Sequence, residues 1–125
     1  MNLDYKVLIV SHSYLEYKIE LPSERWDSVT PFEHDPYRDD FSCYDIIFLD
    51  IDDSQFRVGP SSSINSIQTY TQKHRRVVAV TSARNLDYVP NFGNEKRILE
   101  SGADWIQFPI TEEKVKILLA EAAED

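Results

Sequence analysis

The sequence predicts an α/β domain: a doubly wound, five-stranded parallel sheet flanked by helices. Continuous apolar runs at 5–10, 45–49 and 76–80 each end in polar residues. Such runs, rather than alternating ones, are expected where helices cover both faces of a parallel sheet. Stretches with helical spacing lie between them, and parallel strands need such crossovers. A length of 125 residues suits one domain with its own core.

In chain order, Tyr5-Lys6-Val7-Leu8-Ile9-Val10 reads as the first strand, ending at Ser11-His12-Ser13. Ser13 to Leu21 reads as a short helix stopped by Pro22, which cannot continue one. Ser28-Val29-Thr30 is a weaker strand, and Asp35 to Phe41 is a short helix or a loop. Asp45-Ile46-Ile47-Phe48-Leu49 is the central strand, closed by Asp50. Ser63 is placed to cap a helix whose inner stripe is Ile64, Ile67, Tyr70 and Thr71. Arg76-Val77-Val78-Ala79-Val80 is the next strand, ending at Thr81-Ser82. Asn94 to Ser101 is a short helix stopping at Gly102, a common residue just past a helix end. Trp105-Ile106-Gln107-Phe108 is the last strand, before Pro109. Thr111 then caps a helix with Glu112 and Glu113 in its first turn, where carboxylates suit the dipole. Ile110 and Val115 hold the staple positions, and Val115, Leu118, Leu119 and Ala122 form the inner face.

Composition narrows the function classes. Thirteen Lys and Arg stand against 22 Asp and Glu, a formal charge of −9. That balance argues against gripping nucleic acid through its phosphates. The apolar runs are far shorter than a membrane span, and residues 1–6 lack the pattern of a signal peptide. A lone Cys43 excludes an internal disulfide and fits a reducing compartment. The expectation is a cytoplasmic domain without nucleic-acid or membrane contacts.

Function in an open α/β sheet gathers beyond the carboxyl ends of the strands. Those ends supply Ser11 and His12, then Asp50 with Asp52 and Asp53, then Thr81 and Ser82, then Phe108 and Pro109. A carboxylate beside hydroxyls can accept a phosphoryl group or hold a hard cation. Equally, the three aspartates can open a solvated loop and cap the next segment. No phosphate-cradling loop is available from three glycines, and Ser11, Ser13 and Ser61-Ser62-Ser63 lack a nucleophile-elbow context.

Order and spacing add a resemblance. Asp45-Ile46-Ile47-Phe48-Leu49-Asp50 resembles the third strand and phosphoacceptor of response-regulator receiver domains, the CheY-like family. Val77 to Ala83 resembles the family's fourth strand and switch hydroxyl, at Thr81. Leu99 to Asp104, then Trp105 to Pro109, resembles its Gly-Ala stretch and fifth strand, with Trp105 or Ile106 at the switch aromatic and Trp105 the better match. The resemblance spans essentially the whole chain and implies a flavodoxin-like order, with Asp50 at the phosphoacceptor position.

Departures from that family redirect the expectation. Its acidic pair after the first strand is Ser11 and His12 here, and its phosphoryl-contacting Lys is Phe108. Asp52 matches a position whose carbonyl ligates the metal, Asp53 is a candidate substitute ligand, and the expected Pro is Ser54. Mg²⁺ favours carboxylate oxygens, and it offsets charge on a transferring phosphoryl group. A serine, an imidazole and a phenyl ring replace that chemistry poorly. The resemblance therefore implies a pseudo-receiver, a signalling and protein-interaction module rather than an enzyme, with no cofactor. Its partner would be another protein, an effector domain or a second copy of the chain. The contact surface would lie between about Ala83 and Ala122, with Trp105 in it. Tyr88 and Phe92, in a long stretch from Ala83 to Asn94, are either contact anchors or rings folded over the sheet edge.

Two rivals stand beside this reading. One keeps Asp50 as a phosphoacceptor with an altered Mg²⁺ site using Asp52 or Asp53. The other is a haloacid-dehalogenase-like phosphatase fragment, which Phe48-Leu49-Asp50-Ile51-Asp52-Asp53-Ser54 resembles. There Asp50 is the nucleophile and Asp52 the acid–base group, but the later acidic metal motif is missing. His12 reads as a polar cap, a pH-sensitive contact or a weak ligand, and His34 and His74 as solvated. Lys73-His74-Arg75-Arg76 reads as a solvated helix end, and no His–Cys spacing suggests zinc.

Overall fold

A computed structural model describes residues 4–11, 18–29, 43–50, 70–72, 74, 76–82, 99–100 and 102–124. The chain forms β1 (Val7–Val10), β2 (Ile19–Glu20), a 3-10 turn (Ser23–Arg25) and β3 (Trp26–Val29). Then come β4 (Ile46–Asp50), β5 (Val77–Thr81), β6 (Asp104–Gln107), β7 (Ile110–Thr111) and the helix α1 (Glu112–Glu124). Residues 70–72 and 99–100 are also helical. Five strands make one sheet in the order β3-β1-β4-β5-β6, all pairs parallel. The domain is thus mixed α/β, as the apolar runs predict. No described helix is long and apolar enough to cross a membrane.

The pleat splits the core in two. Val7, Ile9, Ile46, Phe48, Val78 and Val80 face one way and gather Ile110, Val115 and Leu118 from the β7–α1 unit. Leu8, Val10, Ile47, Leu49, Val77 and Ala79 face the other way, against Tyr70, Ala103 and the half-buried Trp105. Every residue of β1, β4 and β5 is buried, which is why these strands carry no polar alternation.

Several local expectations hold. Thr111 Oγ1 accepts the Lys114 amide at 3.2 Å, as a capping threonine should, and the staple residues Ile110 and Val115 are both fully buried. Gly102 adopts φ 96°, and its amide reaches the Leu99 carbonyl at 3.1 Å, so a left-handed residue ends that helical stretch.

Four expectations are corrected. The end of the expected Ser13–Leu21 helix is strand: Ile19–Glu20 pairs in parallel with Ile110–Thr111, a ladder across about 90 residues of sequence that no local pattern announces. The Ser28–Thr30 strand begins earlier, at Trp26, because its exposed Asp27 and Ser28 carry the edge of the sheet without an apolar run. His74 is half-buried rather than solvated. Its Nδ1 accepts the Arg76 amide at 3.0 Å, so Nε2 donates to the Tyr44 carbonyl at 2.7 Å. Arg76 is no solvated helix end either. Its guanidinium donates to the Leu118 carbonyl (2.8 Å) and pairs with Asp104 (3.1 Å) and Glu121 (3.3 Å), clasping β5, β6 and α1 together.

Two tyrosines fasten the periphery. The Tyr5 hydroxyl donates to Glu112 at 3.0 Å, and the Tyr44 hydroxyl donates to Asp27 at 2.7 Å. Burial, then the hydrogen bond to a carboxylate, pushes each phenol up to about 12. The folded state therefore holds these protons above pH 10, where the unfolded chain gives them up. Stability from this source is intact below pH 10 and falls as pH rises from 10 to about 12. Denaturation midpoints measured across that range should decline for the native chain. The Tyr5→Phe, Tyr44→Phe double variant should decline less steeply.

Candidate functional site

The topology fixes where a site should be. The chain runs from β1 out to β3, then returns past β1 to β4, so the strand order reverses between β1 and β4. Crevices outside the carboxyl ends of parallel strands, at such a reversal, are where ligands bind. Ser11 follows β1 at that point and Asp50 ends β4 beside it. Both are buried, and the Ser11 hydroxyl donates to Asp50 Oδ2 at 2.8 Å. The backbone supports the pair, since the Ser11 amide reaches the Val29 carbonyl at 2.9 Å and Asp50 pairs with Val80 in the ladder.

Alternation along the strands sorts the remaining rim residues. Asp50 continues the Ile46–Phe48 face, which packs toward α1, and Val80 lies on that face with it. Thr81, fully buried, follows Val77 and Ala79 onto the opposite face, where Trp105 also packs. The two predicted switch residues thus share a face, and it is not the face of the Ser11–Asp50 pair. β5 ends at Thr81, and Ser82 follows it in a bend.

Position 108 carries an unforeseen feature. The Phe108 amide donates to the Thr81 carbonyl at 3.0 Å, which sets the half-buried ring at the rim next to β5. The Lys18 ammonium sits 4.7 Å from the centre of that ring and donates to Ser82 Oγ at 3.0 Å. Lys18 reaches this place because the β2–β7 ladder pairs Ile19 with Ile110, which lays the start of β2 along the turn at Phe108–Pro109. Charge absent from the side chain at 108 is thereby present above it. Sequence reading missed Lys18 because its neighbours at the rim are set by that long-range ladder. A basic residue shortly before a two-residue strand gives no local signal.

Below the same turn, Lys114 Nζ donates to the carbonyls of Gln107 and Pro109 at 2.8 and 2.9 Å. A groove of about 280 Å³ runs beside the edge strand β6, lined by Leu99, Trp105, Ile106 and Ile117 with Asp104 and Glu121 at its polar margin. Leu99 and Ile117 are the large apolar side chains left exposed among the described residues. Trp105 is half-buried against the core, so only part of its ring meets the groove.

His12, Asp52, Asp53, Tyr88 and Phe92 lie outside the described residues, as do Ser63 and most of the helix it is expected to cap. The structure brings together Ser11 with Asp50, and Lys18 with Ser82 and Phe108; it sets Thr81 and Trp105 on the other face. No family model, curated protein or solved structure matches this chain.

Proposed function

We propose that this chain is a pseudo-receiver: a receiver-like signalling domain that works through protein contacts and is not an enzyme, without Mg²⁺-dependent phosphorylation of Asp50. The sheet order is that of doubly wound, flavodoxin-like domains once the two-residue β2 is set aside. The observation that carries the reading is the Ser11–Asp50 bond. A hydroxyl donates into the carboxylate at the position where a second carboxylate would hold metal.

On this reading Ser11 beside Asp50 suits Mg²⁺ poorly. That ion demands near-octahedral oxygen donors, and a proton donated to Asp50 Oδ2 competes for the lone pair a cation needs. Partner contacts, whether with an effector or a second copy, fall on this reading between about residues 83 and 122. The groove beside β6 and α1 lies within that range and on this reading would contribute to the contact. The domain is proposed to act in the cytoplasm.

One observation favours a second reading. Lys18 returns positive charge to the Phe108 corner, which suits a domain that still phosphorylates Asp50 with an altered metal site. Incubation with a small-molecule phosphodonor and Mg²⁺, followed by intact-mass spectrometry, separates the two. The pseudo-receiver gains no phosphoryl group. A stoichiometric adduct that disappears in Asp50→Asn would sink the proposal and establish the alternative.

A further inference from the structure

We draw no further inference here: the strongest candidate, the groove beside β6 and α1 lined by Leu99, Trp105, Ile106 and Ile117, carries none because nothing in the structure shows what covers it.

Discussion

Phe48→Ala is expected to lower stability by about 3–5 kcal/mol, the range for truncating a fully buried aromatic ring. Phe48 is 0% exposed at the centre of β4, the strand flanked by β1 and β5. Its ring belongs to the cluster that unites the sheet with β7 and α1. The change removes favourable burial and leaves a cavity lined by Ile9, Val78, Ile110 and their neighbours, which strand pairing on both sides prevents from collapsing. A domain of this size has only about 5–15 kcal/mol in reserve. Urea titration should show a large drop in midpoint with little change in slope. A loss under about 1 kcal/mol would mean that the ring is not packed at the centre of the core.

Arg76→Met is the next largest, with an expected loss of about 2–4 kcal/mol. The Arg76 side chain is only 13% exposed, and it joins the Leu118 carbonyl, Asp104 and Glu121. Removing it leaves a helix carbonyl without this donor and two carboxylates without their common cation. The loss is held below the cost of a deeply buried network by the exposure of both carboxylates, 38% and 58%. Relief at Nε, which is buried with no hydrogen-bond partner, offsets a little more. Arg76→Lys should recover only a minority of the loss, because a lysine cannot reproduce the fork that reaches three acceptors. Chemical denaturation of the three chains ranks them; equal stability of the Met and native chains would mean that the clasp holds nothing together.

These residues show what a sequence can and cannot disclose. The apolar runs of β1, β4 and β5 were legible because burial on both faces suppresses polar positions, so the pattern is local. The cap at Thr111 was legible for a similar reason: its hydrogen bond closes within three residues. Arg76, His74 and Lys18 were not legible. Each owes its surroundings to an element distant in sequence: α1 for Arg76, the segment leading into β4 for His74, β7 for Lys18. The same holds at the site. The order of Asp50, Thr81 and Phe108 could be read along the chain, but alternation within the sheet decides which of them share a face. It groups Ser11 with Asp50 and sets Thr81 apart.

Asp50 is a buried hydrogen-bond acceptor, and that grouping bears on the central proposal, that it is not a phosphoacceptor. The most direct test is an amide NMR titration with Mg²⁺ followed by beryllium fluoride, a mimic of the acyl phosphate, on the native chain and Asp50→Asn. If the proposal holds, the native chain should show no Mg²⁺-dependent shift at Asp50, Thr81 or Phe108 beyond what Asp50→Asn also shows. Saturable, Mg²⁺-dependent shifts at those amides that vanish in Asp50→Asn would contradict the proposal and favour the rival reading of a phosphorylatable Asp50.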